Sequence, residues 1–369
     1  MTAASIALSP VKHVLSRWTS AAGLLAAAVV LCACRTSTGV FANLAAAETA
    51  TQEACQAGEG AGIGGPIPPA ALVMLVEATK LLISVVLWNL EERRAQLEQL
   101  PDPAGGLQAA GDGALAPLSP AEPLLDRRFF LFAPPAALYC SCNVLWLVAL
   151  QRMAAPVFEM LSTLRIVLSV ALACAFTQSG AQLRRHHYAA LGMLGLANLV
   201  AHWGMDVAVS PRSADVLLVL LSIASSAVAN MLFELLTKER FLDVSLHLQN
   251  LQLYSWGVAF NAATFAAMQI GGGAAAPLSL AWLPCANVWH VLLILVFACV
   301  GIVTGIVLKY HGNVASVVAQ SFAVHLSALL SHLSIRFMPS WQFLAGAGLC
   351  QAAVLLYNRD SLWAKKPPS

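Results

Sequence analysis

The sequence predicts an all-α polytopic membrane protein, with ten transmembrane helices in two inverted five-helix repeats. Three observations carry that fold class. The chain is 59% hydrophobic and only 10% charged, where soluble domains carry about 25% charged residues, and its mean hydropathy is +0.74. Several apolar runs exceed the ~18–20 residues that cross a hydrocarbon core. Lysine and arginine concentrate in alternate connections between those runs, as they do when successive helices cross a bilayer in opposite directions.

Reading the apolar runs against their punctuation places spans at about 16–34, 67–90, 129–150, 155–177, 188–209, 214–236, 246–270, 289–308, 313–335 and 338–357. The first belongs to an N-terminal segment, 1–66, which ends in a long lumenal loop from Arg35 onward. Its basic start ahead of "AAGLLAAAVVLCAC" also admits a cleaved leader, at the cost of leaving nine spans. The membrane domain proper covers 67–358; its second span begins after "GIGGPIPP" and stops at "EERR". The Pro/Gly-rich stretch 91–128, mixed in charge, reads as a flexible cytosolic loop. The remaining connections are short, so neighbouring helices run antiparallel, and 359–369 is a cytosolic tail.

Fourteen lysines and arginines fall on the side of both termini, against Arg35, Arg152, Arg212 and Arg336 on the other, with Lys80 and Arg165 inside spans. That split places both termini in the cytosol and favours an even number of spans.

Composition also excludes classes. A net charge of +2 without a basic, aromatic-laced cluster gives no nucleic-acid footprint. The nine cysteines are scattered through apolar runs, and Cys32/Cys34 and Cys140/Cys142 lie in expected spans. No ligand spacing suits zinc, and His186–His187 beside Arg184–Arg185 reads as a basic loop, so neither metal nor cofactor is expected. No nucleophile–base constellation marks an enzyme. Cys55 and Cys285, both on the expected lumenal side, could form a disulfide.

Polar residues inside the spans carry the functional signal. Arg165, in "APVFEMLSTLRIVLSVALACAF", shares a face with Phe158, Ser162 and Ser169 and lies about nine residues into its helix, ~13 Å deep at 1.5 Å per residue. Charge at that depth costs at least ~2.5–3.5 kcal/mol and is seldom left unused. Two readings stay open: an ion pair with a carboxylate such as Glu77, or an anion-binding fork lining a hydrated cavity. Glu159, on another flank, suits a helix N-terminus. Further stripes run through Tyr139, Asn143 and Trp146; through His247, Asn250, Tyr254 and Asn261; and through Asn313, Ser316, Gln320, Ser327 and Ser331. Any one could be interhelical glue, but several together suggest a shared polar cavity. Glu77 and Lys80, three apart, form a structural or gating pair. "LRIVLSVAL" (164–172) and "FAVHLSALL" (322–330) align at an offset of 158, hinting at an internal repeat.

These segments resemble the nucleotide-sugar transporter family of the drug/metabolite transporter superfamily, in the group of CMP-sialic acid, UDP-galactose and UDP-N-acetylglucosamine transporters. The resemblance spans about 67–358, through "EATKLLISVVL", "LYCSCNVLWLVAL", "PVFEMLSTLRIVLS", "NMLFELLTKER", "SLHLQNLQLYSWG" and "GIVTGIVLKYHGNVASVVAQSFAVHLSALLS". It implies ten helices in inverted repeats and a Golgi or endoplasmic reticulum membrane, a plastid envelope being the less favoured alternative. It also implies exchange of a cytosolic nucleotide sugar for a lumenal nucleoside monophosphate. Arg165 occupies the family's phosphate-contacting lysine position, and Asn143, Asn250, Gln252, Tyr254, Lys309, Tyr310 and Asn313 match its other patterns. Ser316 replaces a lysine, Gln249 an arginine, and Glu159 a glutamine. Losing cations and gaining an acid weakens the case for CMP-sialic acid and favours a UDP-sugar.

The expectation is therefore an antiporter working by alternating access, not an enzyme. Its expected binding residues are Arg165, Ser162, Tyr139, Asn143, Asn250, Tyr254, Asn313, Ser316 and Gln320, with Glu77, Lys80, Glu159 and Lys309 in structural or gating pairs. The rivals are a carrier of phosphorylated sugars or other organic anions, and a non-transporting membrane scaffold for glycosyltransferases. Homodimerisation and glycosyltransferase association are left open as partners beside the lipid bilayer.

Overall fold

The computed structural model describes residues 21–51, 67–98, 127–176, 184–203, 212–241, 244–271, 286–311, 313, 316, 320–335, 338–357 and 359. Cys55 and Cys285 lie outside them. Helix α1 runs Ala21–Thr51 and α2 Pro69–Glu98. A short α3, Arg127–Leu131, leads through a turn at Phe132 into α4, Ala133–Leu150. The fourth expected span is two helices, α5 (Ala155–Ser162) and α6 (Arg165–Phe176). Then come α7 (Arg185–His202), α8 (Ser213–Leu235) with a π turn over Leu236–Arg240, and α9 (Leu246–Gly271). Helices α10 (Val288–Tyr310), α11 (Ala323–Ile335) and α12 (Trp341–Tyr357) complete the described chain.

Each expected span contains helix among its described residues. Five stretches, within 69–94, 127–150, 155–176, 213–238 and 288–310, are long and apolar enough to cross a membrane, and 29–45, 323–333 and 341–357 are shorter apolar helices. Leu82, Leu199, Leu217 and Leu333 stand exposed on the outer surface. A bilayer covers such surface, whereas water would not leave it as open apolar patches.

Two boundaries differ from expectation. Helix α1 continues through 35–51, expected as the beginning of the lumenal loop, and carries Arg35 into the protein interior, 9% exposed. A run-based reading stops at the first charge; here a partner from another helix neutralises that charge, so the helix does not need to end. Removing Arg35 from the lumenal tally leaves three basic residues there, a sharper contrast with the fourteen opposite. Likewise α2 extends past 90 through "EERRAQLE" to Glu98, residues with high helix propensity and acid–base pairs at helical spacing.

The helix pairing carries the repeat. The most extensive contacts join α7 with α12, α2 with α9, α4 with α8, and α1 with α10. Number the spans one to ten, with α5–α6 as the fourth. A shift of five then maps the α4–α8 contact onto α1–α10, α4–α9 onto α2–α10, and α6–α8 onto α1–α11, while α7–α12 and α2–α9 map onto themselves. Among the described helices, contacts thus recur under a twofold operation. Gly346 marks the closest approach: a Cβ there would come within 2.6 Å of the Ala197 carbonyl and of the Ala201 methyl, so α7 and α12 meet nearly backbone to backbone.

The 158-residue offset holds in detail. The turn at Thr163–Leu164 that interrupts α5–α6 has its counterpart at Phe322, just before α11. At one end of the molecule, Asn43 Oδ1 of α1 accepts from the Ala155 backbone N–H (3.0 Å), the start of α5. Its counterpart is Glu234 Oε2 of α8, which accepts from the Asn313 N–H (2.9 Å), 158 residues further on. Each half therefore caps its own interrupted helix with a side chain from another of its helices.

Candidate functional site

The site is built on the interruption of the fourth span. Ser162 Oγ donates to the Glu159 carbonyl (2.9 Å) and Thr163 Oγ1 to the Met160 carbonyl (2.7 Å). Such back-bonding competes with the α-helical ladder. The backbone tightens in response: Thr163, Leu164, Ile166 and Val167 each donate to the carbonyl three residues back, the 3₁₀ pattern that commonly marks a functional hinge. "LSTLR" therefore bends the helix just where its arginine emerges.

Arg165 is 7% exposed and faces a central cavity. Its Nη1 donates to Ser226 Oγ of α8 (3.1 Å) and its Nη2 to Gln320 Oε1. Its Nε has no hydrogen-bond partner. Among the described residues no carboxylate pairs with it, and Glu77, the acid considered for it, is bonded to Lys80. Of the two readings open on sequence, the ion pair with Glu77 is not formed; a cation held by neutral groups against a cavity is.

A second guanidinium stands beside the first. Arg35 Nε pairs with Glu159 Oε2 (2.8 Å), Nη2 donates to Ser162 Oγ (3.3 Å) and Nη1 to Gln320 Oε1 (3.1 Å). Sequence reading placed Glu159 at a helix N-terminus and Arg35 in a loop; the fold joins them across 124 residues. Gln320 Oε1 thus accepts from both arginines, while its Nε2 donates to Ser316 Oγ (3.0 Å).

The other wall is the Glu77–Lys80 pair of α2, nearly buried at 3% and 5% exposure. Asn143 Nδ2 donates to Glu77 Oε1 (3.3 Å), and Lys80 Nζ sits 4.9 Å above the Tyr254 ring. Glycines make room for the pair: a Cβ at Gly257 would lie 2.8 Å from Glu77 Oε2, and one at Gly301 would lie 2.6 Å from Lys80 Cδ. Tyr139 Oη donates to Asn230 Oδ1 (2.6 Å), and Asn230 Nδ2 to Asn313 Oδ1 (3.2 Å), linking the cavity to the α8 cap.

The cavity, open solvent included, encloses about 1030 Å³ of empty space. Aromatic Trp146, Phe158, Phe233, Tyr254 and Phe297 line it beside the charged and amide groups. Trp146 Nε1 and both polar atoms of the Asn250 amide are buried there without partners. Buried donors are normally satisfied, and exceptions ask for an explanation; here several converge on one space with an unsaturated guanidinium.

Of the expected binding residues, Arg165, Tyr139, Asn143, Asn250, Tyr254 and Gln320 line the cavity. Ser162, Ser316 and Asn313 stand behind it, bonded to Arg35, Gln320 and Asn230 respectively. Lys309 donates to the Val244 carbonyl (2.6 Å), toward the α8–α9 connection. Arg35 and Ser226 were missed. Ser226 had a usable signal, since Ser222, Ser226 and Asn230 share one face of α8 at helical spacing; Arg35 had only an otherwise unexplained charge inside a helix-compatible run.

Comparisons with known proteins bear on the fold and the family. A solved crystal structure with 17% sequence identity has the same fold, with a TM-score of 0.54 over 92% of this chain and 99% of its own. No curated protein matches the chain. The sequence pattern of a family described as "Nucleotide-sugar transporter" matches residues 127–358, which hold α3 to α12 and most of the cavity wall. The chain is a multi-pass membrane protein that belongs to the nucleotide-sugar transporter family.

Proposed function

We propose that the chain is an antiporter that exchanges a cytosolic nucleotide sugar for a lumenal nucleoside monophosphate by alternating access, in a Golgi or endoplasmic reticulum membrane with both termini cytosolic. The observation that carries this reading is Arg165: a cation deep in the protein, facing a cavity, bonded to neutral groups and with an N–H left over. An arginine keeps its charge at any cellular pH and presents a fork suited to phosphate oxygens. The aromatic and amide wall around it suits a base and a sugar, with Asn250 and Trp146 offering unused hydrogen-bonding groups.

Exchange follows from electrostatics. An empty site leaves Arg165 near the membrane midplane without an anion, a costly state in which to reorient; a bound nucleotide at either face lowers that cost. Uptake of a panel of radiolabelled nucleotide sugars into proteoliposomes tests the reading. One or a few sugars should accumulate, and preloading with the matching nucleoside monophosphate should accelerate uptake severalfold. Uptake of sugar phosphates alone would instead favour an organic-anion carrier, and binding of glycosyltransferases without any uptake would favour a scaffold.

A further inference from the structure

Glu159 poses a problem for any anion site. A buried carboxylate less than two turns from Arg165 would repel a phosphate, yet it stands where the resembled transporters carry a neutral glutamine. The fold solves this with a cation from another helix. Glu159 Oε2 takes the Nε of Arg35, and Ser162 Oγ takes its Nη2. These two contacts fix the guanidinium plane, so that Nη1 points to Gln320 Oε1 at the cavity wall. Glu159 is therefore spent on orientation, and Arg35 is left facing the same space as Arg165.

The two guanidiniums converge on one atom. Nη1 of Arg35 and Nη2 of Arg165 both donate to Gln320 Oε1, so the two nitrogens lie within about 6 Å of each other. An amide oxygen is a weak counterpart for two full positive charges, each of which repels the other. A phosphate oxygen bears formal charge and forms shorter, stronger bonds with guanidinium. Among the described residues, Gln320 is anchored through Nε2 by the Ser316 hydroxyl, a neutral tether that lets its oxygen be exchanged for a better acceptor. Together with the Glu77–Lys80 pair, the five charged groups at the cavity sum to one positive charge.

We infer that Arg35 is the second phosphate-binding cation of the cavity, positioned by Glu159. The juxtaposed guanidiniums select a cargo with two linked phosphates, a nucleoside diphosphate sugar, over one with a single phosphate. The inference rests on the nucleotide-sugar reading above and adds the residue that sets the phosphate number. It also assigns an asymmetry to exchange: the incoming diphosphate offers the two arginines acceptor oxygens on two phosphates, while the outgoing monophosphate offers them on one and leaves more readily.

The test is binding of base-matched pairs, UDP with UMP, GDP with GMP, ADP with AMP and CDP with CMP, to the purified full-length protein. Wild-type protein should bind the diphosphate of its preferred base about tenfold or more tightly than the monophosphate, the factor expected of one charge-assisted contact. In R35Q/E159Q, which removes both members of the pair and strands no buried charge, that ratio should fall to about threefold or less with monophosphate binding kept. R35K, which keeps the charge and the Glu159 partner, should retain at least half of the ratio on a logarithmic scale. A wild-type ratio near unity, or a ratio unchanged in R35Q/E159Q, overturns the inference and leaves the transport reading standing. A ratio lost as fully in R35K as in the double variant also overturns it, because the role would then be packing. Wild-type protein that binds no nucleotide overturns the transport reading, and this inference with it.

Discussion

The two interrupted helices at the centre of the molecule occupy equivalent places and do different work. At the 158-residue offset, Glu159, Ser162 and Arg165 of the first half correspond to Val317, Gln320 and Ala323 of the second. Both interruptions are kept, and both helix starts are capped from a partner helix, by Asn43 in one half and Glu234 in the other. The charges are not kept. The first half holds the arginines and the acid that orients one of them; the second contributes a neutral amide on which both arginines converge. Symmetry thus sets the scaffold and the hinges, and its breaking makes the site. A symmetric pair of cations would face each other without an acceptor between them.

That comparison can be broken most directly at Arg165. Arg165→Ala should lower uptake by about 100-fold or more, as loss of a charge-assisted contact in a dry site does. Adding Ala323→Arg, which moves the cation to the related position, should not restore it, because Ser226 and Gln320 hold a guanidinium arriving from the fourth span and Ala323 is fully buried. Restored uptake would mean that the halves are interchangeable.

Next in size is Gln320→Ala, measured by substrate affinity. Removing the shared acceptor leaves the two guanidiniums facing each other and should weaken the empty fold by about 1–3 kcal/mol, read as a lower melting temperature. Nucleotide at saturating concentration should recover most of that loss. A melting temperature that drops equally with and without nucleotide would remove the amide from the anion site.

The caps sharpen the comparison at smaller amplitude. Glu234→Ala and Asn43→Ala each remove one bond to a helix start, worth about 1 kcal/mol, a roughly fivefold shift in a two-state equilibrium. The caps stand at opposite ends of the expected topology, so the two variants should bias accessibility of cavity-facing thiols in opposite directions. Labelling rates from the two sides of the membrane measure this, and equal rates for the two variants would disconnect the caps from gating. The smallest effect is expected from Thr163→Val. It deletes the back-bond to Met160 and the bond accepted from Asn198 Nδ2, which keeps the Leu194 carbonyl, and should change uptake by only about twofold, since Ser162 still tightens the same turn.

Much of this architecture is legible in the sequence, because bilayers impose long apolar runs and a biased distribution of lysine and arginine. The depth of Arg165 follows from counting residues along a helix. The 158-residue relation is visible in Leu168–Ser169 and Leu326–Ser327. Pairing between distant helices is not legible in this way. Arg35 looked like the end of a span because its partner, Glu159, lies four helices later, and no periodicity links them. The long polar stripe of the ninth span was read as one cavity face. Among the described residues of that span the cavity is lined by Gln320, while Asn313 serves at the cap. The same geometry divides the seventh span, where Asn250 and Tyr254 line the cavity and Asn261 bonds to the Gly257 carbonyl.

Gly257 and Gly301 give the molecule a built-in dimension. Each leaves a gap about one methyl wide, filled by a member of the Glu77–Lys80 pair. An alanine at either place would drive that charged pair inward, toward the volume offered to cargo. The room left in the cavity is therefore set in part by two missing carbon atoms, at positions that form no hydrogen bond of their own to it.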